Sequence, residues 1–249
     1  MSTSAPAGAV SLEGAWRPAA WSGRVVTAAP PRWALEAGVV GLLAAYNVVA
    51  ALVRPEVLYV PANLTMAVVL VALSWRGGIT GGELGLDPRY LRRGLVIGLA
   101  AAAVVAAVLA VAAVGPGRGA LQSDEVAAMS GAEVAYRALL AIPAGTVIFE
   151  ELAFRGVLLA LMLRHWSVRC AVLVNSVLFG LWHIDPALGD ATGEGPAAAV
   201  GIVIGTVVAT TVGGVVFAWL RLRGASLLSP MLAHWATNAC ALAAAAYVT

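Results

Sequence analysis

The sequence predicts an all-α fold, a polytopic bundle of about seven membrane helices. Of its 249 residues, 61% are hydrophobic and only 11% carry a charge, whereas charged residues make up about 25% of an ordinary soluble domain. The mean hydropathy is +0.90. A soluble protein of this length needs far more polar surface than this composition provides. We therefore expect an integral, multi-pass membrane protein with six to eight spans.

Seven apolar runs are long enough to cross the bilayer. A helix needs about 20 apolar residues to span the hydrocarbon core, and charged residues, proline or glycine bound each run. The runs are Ala34–Val53, Val57–Trp75, Leu95–Val114, Val134–Leu163, Val168–Ile184, Ala197–Leu220 and Ala225–Val248. The fourth run is long and the fifth is short, so this part of the chain is where we expect a tilt, a break or a re-entrant piece.

The runs divide the chain into a polar tail (residues 1–33), an N-terminal transmembrane region (34–133) and a second transmembrane region (134–249). The tail has no unbroken apolar segment of the kind found in signal peptides. Positive charge in short loops stays on the cytoplasmic side. Placing the tail inside puts most loop arginines inside, namely Arg76, Arg89, Arg92, Arg93, Arg164, Arg169, Arg221 and Arg223. We expect a cytoplasmic N-terminus and, in a bacterium, a location in the cytoplasmic membrane.

Charge and cysteine content exclude two classes of protein. The formal net charge is +2 and the basic residues are scattered, so the chain has no electrostatic footprint for nucleic acid. Cys170 and Cys240 lie in apolar runs and form neither a CxxC metal pair nor a disulfide framework. We interpret both as small hydrophobic side chains.

Ionisable residues inside the predicted spans are the informative exceptions. They are Glu150, Glu151, Arg155, His183 and His234. Each costs at least ~2.5 kcal/mol at the centre of a membrane helix, so such residues are functional by default. Glu36 and Arg137 are close enough to span ends to reach the interface. His165 stands beside Arg164 and is expected to lie on the surface.

Helical geometry separates the two adjacent glutamates. At ~100° per residue, Glu151 and Arg155 share a face and can form an ion pair. Glu150 lies ~140° from Arg155 and lacks this partner. A carboxylate that is withdrawn from water and unpaired is suited to accept a proton as a general base. The spacing therefore predicts a catalytic Glu150 and a supporting Glu151.

The depths of three residues predict one shared site. At 1.5 Å per residue, Glu150 and His183 each lie ~21 Å from an inner arginine, and His234 lies ~16 Å from one. Asn238 follows His234 by four residues, so its amide shares the His234 face and can donate to a developing oxyanion. A carboxylate, two imidazoles and an amide that meet inside a membrane indicate hydrolysis of an acyl bond by activated water.

A serine nucleophile and a zinc ion are the two alternatives to activated water. A serine nucleophile has little support, because Ser176 faces away from His183 and no GxSxG motif occurs. No cofactor is required, but Zn²⁺ is an alternative, with Glu150, His183 and His234 as ligands and water at the open position. The HExxH motif of standard zinc proteases is absent.

Three segments resemble the motifs of one membrane protease family. Glu150-Glu151-Leu-Ala-Phe-Arg155, Phe179-Gly-Leu-Trp-His183 and His234-Trp-Ala-Thr-Asn238 look like the EExxxR, FxxxH and HxxxN motifs of the CPBP family, which comprises CAAX prenyl endopeptidases and bacteriocin-processing proteins. The resemblance covers roughly residues 134 to 245, with all three motifs in order. It implies an all-helical membrane bundle, usually of eight helices, one more than the seven runs.

The resemblance also implies roles for the site residues. Glu150 and His183 would activate water, and His234 and Asn238 would stabilise the oxyanion. Glu151 and Arg155 would support Glu150, and residues 134–249 would form the catalytic core. The family has been described both as metalloproteases and as glutamate proteases. The implied partners are a membrane-associated peptide or protein substrate and the lipid bilayer. No motif specific to prenyl recognition is visible.

The sequence leaves three functional hypotheses, of which an intramembrane endopeptidase is favoured. In a proton-coupled transporter, the same glutamates and histidines would form a proton relay. We find no internal repeat between the two halves of the chain, although transporter folds often contain one. A non-catalytic immunity or scaffold protein would keep the motifs and bind a partner in the membrane.

Overall fold

The computed structural model describes residues 32–53 and 56–249 and is helical throughout this part, with no strand. The predicted all-α fold class is confirmed. The predicted polar tail lies outside the described residues, apart from residues 32 and 33. The helices are α1 Arg32–Leu52, α2 Glu56–Arg76, α3 Gly81–Leu84, α4 Leu91–Val114, α5 Asp124–Ala127, α6 (131–163), α7 Val168–Trp182, α8 Ile184–Asp190, α9 Pro196–Gly224 and α10 Leu228–Val248.

Five stretches of the described residues are long and apolar enough to cross a membrane, so the chain is an integral membrane protein. They are Trp33–Leu52, Val57–Arg76, Gly81–Val114, Val168–Asp190 and Pro196–Gly224. The two other long helices, α6 and α10, carry most of the polar residues of the predicted site. The bundle thus places its polar helices among apolar ones.

Helix α6 is continuous but wider than an α-helix over most of its length. Its segments Arg137–Val147 and Glu151–Leu158 have π-helical hydrogen bonding, in which each N–H bonds five residues back. Pro143 lies in the first of these segments and has no N–H, and its carbonyl accepts from the N–H of Ile148. The long fourth run therefore contains neither a break nor a re-entrant turn. Wide turns of this kind frequently occur at functional sites.

The second half of α6 forms the centre of the bundle. Ala153, Val157 and Leu158 have no exposed surface, and Phe149 is almost fully buried. These side chains belong to one core that also includes residues of α1, α2, α7, α9 and α10. A helix surrounded on all sides can hold its polar side chains in fixed positions.

The α-helix of the fifth run ends earlier than expected and is interrupted at one residue. Helix α7 stops at Trp182, His183 has non-helical backbone angles, and α8 begins at Ile184. Pro186 explains the break, because it cannot donate a backbone hydrogen bond to the carbonyl of Trp182 four residues earlier. The interruption places His183 at the junction of the two helices, within the stretch Val168–Asp190.

Two glycines on α4 bring α10 close to it. A Cβ at Gly94 would lie 2.6 Å from the Cβ of Ser226, and one at Gly98 would lie 2.8 Å from Leu232. Real Cβ atoms do not approach so closely, so only glycine fits at this crossing. The hydroxyl of Ser229 also donates to the carbonyl of Gly94 at 3.2 Å. These contacts set the position of α10 and hence of His234.

Candidate active site

Glu150 is a buried carboxylate with one engaged and one free oxygen. Its Oε1 accepts a hydrogen bond from the indole N–H of Trp182 at 3.1 Å. Its Oε2 has no hydrogen-bond partner among the described residues and lies 3.8 Å from Nε2 of His234. A water molecule can bond to both of these atoms at once, because each would be within ~2.8 Å of it. Glu150 is therefore placed to act on water.

Glu151 has no exposed surface and binds two partners through one oxygen. Its Oε1 accepts from Nη1 of Arg155 at 3.2 Å and pairs with Nδ1 of His234 at 2.9 Å. The ion pair predicted from the spacing of Glu151 and Arg155 is confirmed, whereas the contact with His234 was not anticipated. Glu151 thus connects α6 to α10 inside the bundle.

Arg155 is also fully buried, and aromatic rings surround it. The centre of its guanidinium lies 3.8 Å from the ring centroid of Phe179 and 5.2 Å from that of Phe217. A cation over the face of an aromatic ring is attracted to it, more strongly when water is excluded. This environment replaces part of the hydration that the guanidinium loses on burial.

His234 is held in one orientation by its neighbours. Phe217 stacks on its ring at 4.9 Å between centroids, and its Nδ1 faces the carboxylate of Glu151. A carboxylate oxygen accepts, so Nδ1 carries the proton and Nε2 of the neutral ring has a lone pair. That nitrogen points towards Glu150.

His183 lies near this cluster but makes no direct contact with Glu150. Its Nδ1 donates to the carbonyl of Phe179 at 2.8 Å, which leaves Nε2 free to accept. The ring of Phe179 touches both imidazoles, at 4.7 Å from His183 and 6.1 Å from His234. The histidine that adjoins Glu150 is therefore His234.

Asn238 follows His234 by one helical turn, as expected, and is half-buried. In the described part of the chain its amide makes no hydrogen bond with another side chain or the backbone. The structure thus unites Glu150, Glu151, Arg155 and His234 in one cluster. His183 joins this cluster through Phe179, and Asn238 extends it along α10.

Three residues at the site were not identified from the sequence. Trp182 donates to Glu150, Phe217 stacks on His234, and the buried amide of Asn175 donates to the carbonyl of Phe154 at 2.8 Å. Asn175 is a polar residue within an apolar run, which is a usable signal. The contacts of Trp182 and Phe217 depend on helix packing, so no local pattern reveals them.

The net charge of the cluster has a chemical consequence. With both carboxyl groups ionised, Glu150, Glu151 and Arg155 together carry one negative charge. A net charge is costly where water is excluded. One proton shared between Glu150 and His234 makes the cluster neutral, and these two groups face each other at 3.8 Å. The pair is suited to accept and return a single proton.

The alternative zinc site requires Glu150, His183 and His234 to converge on one point. Glu150 and His234 face each other, but His183 is not a third member. Among residues 32–53 and 56–249, no group of three histidine, cysteine or acidic side chains is arranged to hold a metal ion. The residues in this arrangement do not fit a three-ligand zinc site.

Comparison with protein families gives one match. Residues 132–240 match the family described as Type II CAAX prenyl endopeptidase Rce1-like. This segment contains all six of the predicted site residues. No curated protein and no solved structure matches the chain.

Proposed function

We propose that this chain, whose residues 132–240 form a domain of the Rce1-like type II CAAX prenyl endopeptidase family, is an intramembrane endopeptidase. Membership of the family implies a protease. The proposed reaction is hydrolysis of a peptide bond in a membrane-associated peptide or protein, at or within the bilayer. The observation that carries the proposal is the buried carboxylate of Glu150, with one oxygen fixed by Trp182 and the other unpaired beside His234.

Water activation is the first step of the proposed mechanism. Oε2 of Glu150 removes a proton from water, and the water oxygen forms a bond to the carbonyl carbon of the substrate. The second hydrogen of that water is bonded, through one further water molecule, to the free Nε2 of His183. Burial supports this step, since excluded solvent cannot compete for the carboxylate. No side chain forms a covalent bond with the substrate.

Stabilisation of the oxyanion and departure of the amine complete the reaction. During this step the proton that Glu150 and His234 share resides on Nε2 of His234, so the imidazolium donates from Nε2 to the oxyanion, and the amide of Asn238 supplies a second donor. Glu151 stabilises the imidazolium through Nδ1, and Arg155 holds Glu151 in place. The C–N bond then breaks, and the proton on Glu150 moves to the leaving amine. The second proton of the water passes from the new carboxyl group to the amine, so the products are a carboxylate and an ammonium group, and Glu150 and His234 return to their starting state.

The arrangement of charges supports an orientation for the protein. In the order of spans expected from the sequence, most loop arginines fall on the side of the N-terminus, which favours a cytoplasmic N-terminus and, in a bacterium, the cytoplasmic membrane. Trp75 and Trp219 are exposed and lie beside or near Arg76 and Arg221, as expected of residues at the membrane interface. Orientation determines from which side a substrate reaches Glu150.

A comparison of peptide termini tests the proposed function. Cells that express the wild type are compared with cells that express Glu150→Gln at equal membrane abundance, and new protein termini are identified by mass spectrometry. We expect membrane proteins whose new termini occur only with the wild type. Identical termini in both samples, together with proton uptake into vesicles that depends on Glu150, would favour the transporter instead. Identical termini without proton uptake would favour the scaffold protein.

A further inference from the structure

Trp182 determines which oxygen of Glu150 is free. Its indole N–H donates to Oε1 at 3.1 Å, so the oxygen near Nε2 of His234 is Oε2. Without this hydrogen bond the carboxylate could rotate about its terminal torsion, which is broad and has little preference of its own. The position of the indole therefore affects the geometry of water activation.

Helix α1 holds Trp182 by a backbone contact and a ring contact. The amide of Asn47 donates to the carbonyl of Trp182 at 2.9 Å. This carbonyl is at the end of α7, where Pro186 has no N–H to offer it. The ring of Tyr46 stacks nearly parallel to the indole, at 6.5 Å between centroids. Asn47 and Tyr46 together fix the end of α7.

Helices α1 and α2 also hold the wide part of α6 that precedes Glu150. The hydroxyl of Tyr46 donates to Oδ1 of Asn63 on α2, and the amide of Asn63 donates to the carbonyl of Gly145 at 2.6 Å. The hydroxyls of Tyr59 and Thr146 pair at 2.8 Å. Only glycine fits at position 145, because a Cβ there would lie 2.7 Å from the ring of Tyr59. Polar groups of α2, one of them bonded to Tyr46 of α1, thus contact α6 five residues before Glu150.

We propose that Tyr46, Asn47 and Asn63 form a positioning network that acts through Trp182 and the wide turn of α6 to hold the Glu150 carboxylate in its reactive orientation. This inference rests on the proposed function. It makes helices α1 and α2 part of the catalytic apparatus, although they lie outside residues 132–240, where the family match is found. Polar side chains that only join membrane helices would contribute to stability without affecting turnover.

Enzyme kinetics distinguish a positioning role from a structural one. The variants are Trp182→Phe, which keeps a ring and removes the N–H, Asn47→Leu, and the double variant, each purified as the full chain. For Trp182→Phe we expect kcat to fall about tenfold, the scale of one hydrogen bond to a charged group, with KM changed less than about twofold. Asn47→Leu should lower kcat by a smaller factor. The double variant should match Trp182→Phe, because Asn47 acts through the indole.

Trp235→Phe is the matched control. Its indole donates to the carbonyl of Ala138 on α6, the helix of Glu150, at 2.8 Å, and its side chain is also half-buried, but it makes no hydrogen bond with Glu150. We expect kcat close to that of the wild type. An unchanged kcat for Trp182→Phe, or multiplicative losses in the double variant, would overturn the network while the active wild type still supports the proposed function. A wild type without cleavage would overturn both. If Trp182→Phe does not fold, an unchanged kcat for Asn47→Leu overturns the network.

Discussion

Replacing Glu150 with glutamine is expected to lower the rate of proteolysis at least ~10²-fold, the low end for loss of a general base. Glutamine has nearly the same shape as glutamate but cannot accept the proton of the attacking water. Its amide oxygen can still accept from Trp182, and its amide nitrogen can donate to the free Nε2 of His234. We therefore expect this variant to insert and fold, with a melting temperature in detergent close to that of the wild type.

Glu36→Gln provides the control for loss of a buried carboxylate. Glu36 is 6% exposed and pairs with Nε2 of His165 at 2.8 Å, remote in sequence from the cluster. This variant should retain the specific activity of the wild type. Rates and melting temperatures of both variants are measured on the same purified preparations. A fully active Glu150→Gln protein would contradict the role proposed for this residue.

Replacing Glu151 with glutamine is expected to destabilise the protein by ~3 to 5 kcal/mol, the usual cost of removing one partner of a buried ion pair. Arg155 has no exposed surface, and Glu151 is its hydrogen-bonded counter-charge. Removing that charge leaves a buried guanidinium without its pair. The contact with Nδ1 of His234 is weakened too, so activity should decrease together with stability.

An exposed pair on the same helix is the matched control for Glu151. Glu133 and Arg137 have the same four-residue spacing and nearly the same distance, 3.3 Å, but their side chains are 45% and 39% exposed. Exposed pairs contribute ~0 to 1 kcal/mol, so Glu133→Gln should change the melting temperature little. Spacing and residue types are the same in the two pairs, which differ in burial and in the further partners of Glu151 and Arg137.

The variant that lacks both charges completes the measurement. Glu151→Gln combined with Arg155→Gln should be more stable than the sum of the single effects predicts, because neither charge is left alone. The stability of the two single variants and of the double variant is measured by thermal unfolding in detergent. Additive losses would show that Glu151 and Arg155 are not coupled. A greater loss of stability for Glu150→Gln than for Glu151→Gln would reverse the roles of the two glutamates.

The sequence predicted those parts of the site that depend on a single helix. The pairing of Glu151 with Arg155 follows from four-residue spacing, and it is preserved even in the wide turn of α6. The helical fold follows equally directly, because a chain of this composition can satisfy its backbone in a membrane only by forming helices or a closed barrel.

Contacts between helices could not be predicted in the same way. Depth along a helix places His183 and His234 at similar levels, but it does not give their rotation or the packing of α7 and α10. The structure turns His234 towards both glutamates and ends α7 at His183. Glu36 and His165 show the same limit. His165 is exposed, as expected, but its pairing with Glu36 of α1 is a contact between segments that no pattern within one segment predicts.

The central claim is that Glu150 activates water and does not itself attack the substrate. A single turnover of the purified wild type in water enriched in ¹⁸O, followed by mass spectrometry of the product and of the peptide that contains Glu150, tests this claim most directly. Attack by water predicts ¹⁸O in the new carboxylate of the product and none in Glu150. An unlabelled product with ¹⁸O in Glu150 would indicate an anhydride intermediate and contradict the account.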